Sequence, residues 1–169
     1  SKANTAFNFY MSGEADLLMD KGLVPSTLVL ELARRSDFHA APFLGIYFLR
    51  FNCSKKPFDD VRVRKAFAMC INKERIVQGI TRAGELVASG IVPPGLEGYE
   101  QAEGVGYDPE GAKSLLADAG YPGGKGLPLI TYLYSEGEMN EAIAIELQSM
   151  WYQGLGVMVN LARQEWKVY

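Results

Sequence analysis

Cysteine and histidine are scarce in this sequence: two cysteines, Cys53 and Cys70, and a single histidine, His39, in 169 residues. Two cysteines are too few for a disulfide scaffold in a chain of this size. Each reads as a small apolar filler of the kind a core buries, and nothing in their spacing argues for a bridge between them. One histidine forms no nucleophilic triad with either cysteine at a recognised spacing, and no set of His, Cys and carboxylate residues has metal-ligand spacing. Nucleophilic catalysis and zinc chemistry are therefore poorly supported, and His39 reads as a surface or edge residue. Positive charge is not in excess: the formal net charge is −3, so no overall field draws the chain towards DNA or RNA. No run of about 18 apolar residues occurs, so no membrane-spanning helix is expected. The opening stretch, SKANTAFNFYMSGEAD, lacks the basic-then-apolar order of a signal peptide and does not begin with Met. The chain reads as a processed or cut-out segment. Internal repeats and low-complexity stretches are missing as well.

What is there suffices for a core. Hydrophobic residues make up 48% and charged residues 22% of the sequence, near the globular average, in a length that suits one domain or a piece of a larger one. The patterning predicts helices over 5–11 and 25–35, the second opened by Pro25 with Leu28, Leu30 and Leu32 on its apolar side. Brief strands are expected at 16–19 and within 84–92, and an extended stretch at 37–40. The strongest strand signal is LGIYFLRFN, residues 44–52. Asp59 or Asp60 caps a helix to about residue 70, with Val63, Phe67 and Cys70 at helical spacing. Asn72 caps another, through about residue 80. After a turn-rich connector, Asp108-Pro109-Glu110 opens a helix that buries Ala112, Leu115, Leu116 and Ala119 and stops at Gly120. A strand over 127–134, with Leu129, Thr131 and Leu133 alternating, leads to the longest helix, 138–154, striped with Ile143, Leu147, Met150 and Trp151. A strand over 157–161 follows. Helices interleaved with strands imply an α/β fold.

Few residues carry chemistry. The loop GYPGGKG invites comparison with a phosphate loop, but Lys125 has Ala119 six positions before it and Gly126 after it. The element order, helix then strand, is also reversed, so its glycines serve a helix stop and a turn. Arg62, Arg64 and Lys65 form either an anion-binding face or a solvated helix face balanced by Asp59 and Asp60, and one of the arginines can tie neighbouring elements together. Arg50 is sharper. A lone charge in a hydrophobic strand must be paired or face a wet cavity, so it either lines a ligand cleft with Tyr47 and Phe48 or meets an acid at a sheet edge. Trp166, just past a strand end, stands where open α/β sheets keep ligands, or else covers the core. Trp151 reads as core.

Five stretches then point one way: YMSGEADLLMDKGLVP, YFLRFNCSKKPFDDVRVRKAFAMCINKERIV, GIVPPGLEGY, YDPEGAKSLLADAGYPGGKGLPLITYLY and LQSMWYQGLGVMVNLARQEWKVY. In this order the sequence resembles the middle of the oligopeptide- and dipeptide-binding proteins of ABC importers, the extracellular solute-binding proteins of family 5, over essentially all its length. The resemblance implies a lobe of the periplasmic-binding-protein type II kind, a fragment of a two-lobe protein. On this reading residues 1–41 end the base lobe and 42–169 begin the second lobe. Asp60, Arg62 and Arg64 become structural, and Asn72 stands where the family usually has Asp.

The same resemblance implies capture rather than catalysis. A peptide ligand is held between lobes and delivered to a membrane permease. The setting is periplasmic or extracellular, with a lipid anchor as one option. The intact protein is expected to be a monomer, and no cofactor, metal or nucleic acid is implied. Nickel or an oligosaccharide on the same scaffold is the alternative ligand, and a hydrolase-type enzyme domain the more distant one. The QEW motif is intact, so Trp166 is the first candidate for the pocket, followed by Arg50, Phe48 and Asn140. Arg50 stands where an oligopeptide receptor carries an acid, Asn140 where it carries a ligand-contacting His, and Gly45 where it has a half-cystine. The acid that holds a peptide's amino terminus in that family falls after the last residue of this chain.

Overall fold

A computed structural model of the chain describes residues 2–41, 43–100, 102–165 and 167, with side chains for all of these but Lys2, Lys21 and Ser26. The first helix, α1 (Lys2–Ser12), is closed by Gly13 at φ 79°, a left-handed setting that glycine adopts without steric cost. Residues 16–19 form no strand; Leu17 and Met19 stay exposed there. The helix expected over 25–35 shrinks to a 3-10 turn, Ser26–Leu28, running into the short α2 (Val29–Leu32). Val29 and Leu32 are buried, whereas Leu30 is 58% exposed. A helix aligns residues three and four apart, so the two-residue steps among Leu28, Leu30 and Leu32 could not make one face. Arg35 pairs with Asp37 at 2.7 Å, and the Tyr10 hydroxyl donates to the same carboxylate at 2.7 Å, tying α1 to the segment after α2. These two donors hold the Asp37 carboxyl well below the usual carboxylate range.

The second half of the chain builds the core. Asp60, not Asp59, caps α3 (Val61–Met69), its carboxylate accepting from Arg62 N at 2.8 Å. The Arg62 guanidinium grips that carboxylate at 2.6 Å and also donates to the carbonyl of Asp118 at 2.6 Å. Arg64 donates to the Phe58 carbonyl at 2.7 Å. Both arginines therefore hold neighbouring backbone. Asn72 caps α4 (Lys73–Ile76), accepting from Arg75 N at 2.9 Å. This helix widens into a π-helical turn, Val77–Thr81, ended by Arg82 in the left-handed region at φ 56°. Arg75 pairs with Glu146 at 2.8 Å. The described residues of 82–100 and 102–107 form a loop without the short strand expected within 84–92, pinned by Lys73 Nζ to the Ala88 carbonyl at 2.9 Å and by Ser89 Oγ to the Ala102 carbonyl at 2.9 Å.

Asp108 caps α5 (Pro109–Asp118), accepting from Gly111 N at 2.9 Å, with Pro109 at the first turn. After Gly120 and a 3-10 turn, Pro122–Gly124, come β1 (Ile130–Ser135), α6 (Glu138–Leu155) and β2 (Val159–Gln164). The two strands pair in parallel, Ile130 with Val159 through Ser135 with Gln164. A parallel pair needs a crossover, and α6 supplies it. The buried core joins Val63, Ala66 and Phe67 of α3 and its C-cap Cys70, Ala112 and Leu116 of α5, Ile143, Leu147, Trp151 and Leu155 of α6, and Ile130, Val157 and Val159 at the sheet. On β1 the buried parity is Ile130 and Tyr134, while Leu129 is 82% exposed. The expected Leu129, Thr131, Leu133 face is thus the outward one. Both parities of β1 carry apolar residues, so alternation alone cannot name the inner face.

Cys70 is a buried free thiol, and burial pushes its ionisation up to about 11. Cys53, expected in the core, is instead exposed, in the turn after residues 44–52. Those residues carry no ladder: among the described residues only β1 and β2 pair. Leu49 and Phe51 nonetheless pack against the core, Phe51 lying 4.7 Å from Phe58 and 6.4 Å from Phe67 between ring centroids. The strand signal of this stretch came from aromatic side chains that reach the core, and its backbone stays irregular.

Two predictions follow from these contacts. A Cβ on Gly154 of α6 would lie 2.6 Å from Cys70 Sγ. Gly154→Ala is expected to destabilise the intact protein by ~1–3 kcal/mol, and Cys70→Ala to recover part of that loss in combination. A double-mutant cycle by urea unfolding reads the coupling, and strictly additive effects would show that α3 and α6 do not touch there. Asp60→Asn keeps a capping side chain but removes the charge that Arg62 stabilises. The Arg62 bonds lower the Asp60 carboxyl in the folded state. Its contribution is therefore present above the unfolded value of about 3.9 and lost as pH falls through the lower folded one. The stability gap between parent and variant should close below about pH 4; a gap that is constant with pH contradicts this account.

Candidate ligand-binding site

In parallel α/β sheets, ligands bind outside the carboxyl ends of the strands. That edge is formed here by Ser135 and Gln164, paired across the sheet. The ladder runs one step further, with Glu136 N donating to the Gln164 carbonyl at 2.8 Å. Helix α6 starts directly above this edge after Gly137, whose φ of 145° lies where only glycine is at ease. Its other end and middle are fixed from below: Gln148 Nε2 donates to the Val159 carbonyl at 2.6 Å, and Trp151 stacks edge-on against Tyr132 at 6.0 Å. Glu138 and Glu141 stand in its first turn, where the helix dipole favours negative charge.

Of the residues expected at the site, Asn140 lies on this edge. It is half-buried in the first turn of α6, and its Nδ2 donates to Ser135 Oγ at 2.9 Å. Trp166 lies outside the described residues; β2 ends two positions before it in the sequence. Phe48 and Arg50 lie on the irregular segment 44–52. Phe48 is 53% exposed and Arg50 is exposed, alternating with the inward Leu49 and Phe51. Among the described residues Arg50 forms no ion pair, so the sheet-edge partner considered for it is not there. Tyr47 does not share the outward face of Phe48. Its hydroxyl comes within 3.5 Å of the Tyr132 hydroxyl, on the β1 side. No hydrogen bond or ring contact joins Phe48 or Arg50 to Asn140. The residue that sequence reasoning missed is Ser135; a polar residue closing the apolar run of β1 was the available signal.

Two clefts lie elsewhere. A cleft of about 180 Å³ sits among Cys70, Asn72, Arg75, Glu110, Lys113 and Gln153. Gln153 and Asn140 are 13 residues apart on α6, about 20 Å along the axis, so this cleft does not belong to the carboxyl edge. Among the described residues no group of three or more His, Cys, Asp or Glu side chains is gathered to hold a metal ion, and no helix is long and apolar enough to cross a membrane.

A parallel strand–helix–strand unit with a polar edge above it, backed by packed helices, is an α/β architecture. Comparison with known proteins makes this specific. The sequence profile described as bacterial extracellular solute-binding proteins, family 5 Middle, matches residues 1–169, and the chain belongs to that family. The periplasmic oligopeptide-binding protein OppA of Escherichia coli is 36% identical over 98% of this chain and 31% of its own length. Among solved structures, a periplasmic oligopeptide-binding protein of Borrelia burgdorferi, OppAIV, superposes with a TM-score of 0.84 at 32% identity, covering 99% of this chain and 33% of that one. OppA of Haemophilus influenzae, solved in complex with RPPGFSPFR, superposes with a TM-score of 0.80 at 28% identity over 99% of this chain and 34% of that one. The chain thus spans about a third of the length of these relatives.

Proposed function

We propose that this chain is part of the receptor of an ABC importer that captures peptides outside the cytoplasmic membrane and hands them to a membrane permease. The observation that carries the reading is the match of the family profile along residues 1–169, supported by relatives named for oligopeptide binding. Residues 1–41 belong to the base lobe and 42–169 to the second lobe. In support, the core centred on Phe67 and Trp151 draws on residues 49–159 and on none of the described residues before 42. The chemistry is binding without bond-making. An extended peptide supplies main-chain hydrogen bonds that are indifferent to sequence, wet pockets accept its side chains, and hinge closure of the two lobes sequesters it. Trp166, Phe48, Arg50 and Asn140 are the contacts assigned to this chain, with Trp166 offering an aromatic wall and Arg50 a cation.

Arg50, exposed and without an ion pair among the described residues, suits a ligand carboxylate through charge-assisted bonding. Calorimetry of the intact protein with tri- to pentapeptides is the direct test of the general reading, and binding of none of them would overturn it. In the same titrations Arg50→Ala should weaken free-acid peptides by about 10-fold or more, and C-terminally amidated ones far less. Equal affinities for the free acids before and after the substitution would remove Arg50 from the site.

A further inference from the structure

We propose that Ser135 is a positioning residue for peptide recognition, holding the Asn140 carboxamide in one orientation so that it offers a fixed, neutral polar group to the ligand main chain. The proposal rests on the peptide-binding reading above and on the assignment of Asn140 to the site. Its physical basis is the contrast between a rigid acceptor and a loose amide. Ser135 is the last residue of β1, paired with Gln164, and the backbone bond from Glu136 N to the Gln164 carbonyl at 2.8 Å pins the chain on its far side. Its Cα and Cβ are thereby fixed in the frame of the sheet, which leaves the hydroxyl only its few χ1 rotamers. Asn140 is the third residue of α6. Helical side chains lean towards the helix amino terminus, which carries this carboxamide back over Gly137 to Ser135. A Cβ on Gly137 would lie 3.5 Å from Asn140 Nδ2, at ordinary contact distance, so the carboxamide lies beside the glycine.

The terminal torsion of an asparagine is broad and nearly two-fold, so an unrestrained amide exposes its donor and acceptor edges interchangeably. Donation from Nδ2 to Ser135 Oγ at 2.9 Å removes that freedom and leaves Oδ1 on a defined side. Neither member of the pair titrates in the ordinary range, and both are short and uncharged. A fixed amide of this kind suits a peptide main-chain N–H or C=O, which is neutral and present in every peptide, rather than a terminal carboxylate, which would call for a cation.

The test is a double-mutant cycle on the intact protein, with tri-alanine as probe and calorimetry as readout. Ser135→Ala is expected to weaken binding about 3- to 10-fold, the scale of one neutral hydrogen bond, and Ser135→Thr, which keeps the hydroxyl, to restore most of it. In an Asn140→Ala background, Ser135→Ala should cost nothing further. Equal losses from Ser135→Ala in both backgrounds, or no loss in the parent, would overturn the positioning role while leaving peptide capture intact. Failure of the unsubstituted protein to bind any peptide would remove the underlying reading, and the proposal with it.

Discussion

The fold turns on one buried hydrogen bond, from the Trp151 indole N–H to the Phe67 carbonyl at 3.0 Å. Its origin lies in how α3 ends. The Phe67 carbonyl would ordinarily accept from Ile71 N four residues on, but Ile71 N donates to the Ala68 carbonyl at 3.1 Å in a tightened last turn. Phe67 is therefore left with one of the unpaired carbonyls that every helix end must satisfy, and it is buried, where an unpaired polar group costs about 1–3 kcal/mol. Trp151 supplies the donor and, with it, a large apolar ring 5.5 Å from the Phe67 ring. Phe58 meets Phe67 edge-on at 5.2 Å, and Tyr132 meets Trp151 edge-on at 6.0 Å. Trp151 thus joins α3, α6 and β1, and Phe67 brings in the segment before α3. The carboxyl edge of the sheet inherits its rigidity from this junction, because α6 is clamped by its middle while its first turn carries Asn140.

Much of this was legible in the sequence where the signal is local. Asp60, Asn72 and Asp108 announce their helices because a capping side chain needs only the next few backbone amides. Val63, Phe67 and Cys70, and the stripe through Ile143, Leu147 and Trp151, follow from helical spacing over enough turns to be unambiguous. Reading failed where a pattern fits two geometries. Leu28, Leu30 and Leu32 satisfy apolar composition but not helical period. β1 carries isoleucine and tyrosine on one face and leucine on the other, so only the position of α6 decides which is inside. Residues 44–52 have the composition of a strand, and a strand requires a partner that composition does not supply.

The candidate site was legible to a different degree. Asn140 was reached only through the resemblance of whole stretches to a family, and it lies on the strand-end edge; Trp166 was marked first by its place past a strand end and then by the resemblance. Ser135 was missed because its importance comes from a contact five positions away across a glycine turn, which no periodicity encodes. The relation of Arg50 to its surroundings was open in sequence for the same reason. Whether a charge is paired depends on what a fold brings near it, and here the described residues bring no carboxylate.

The irregular course of residues 44–52 carries a consequence for which of its positions can change. A residue in a hydrogen-bonded ladder is tied to its neighbours through backbone register, so altering it disturbs the strand as a whole. Phe48 and Arg50 are under no such bond. Their segment is anchored by every second side chain, Leu49 and Phe51 inward against the core, while the outward positions are attached to nothing that the fold requires. Outward substitutions there can exchange charge, bulk or polarity with little structural penalty. The fold thereby separates the residues that hold it together from outward ones that are free to change.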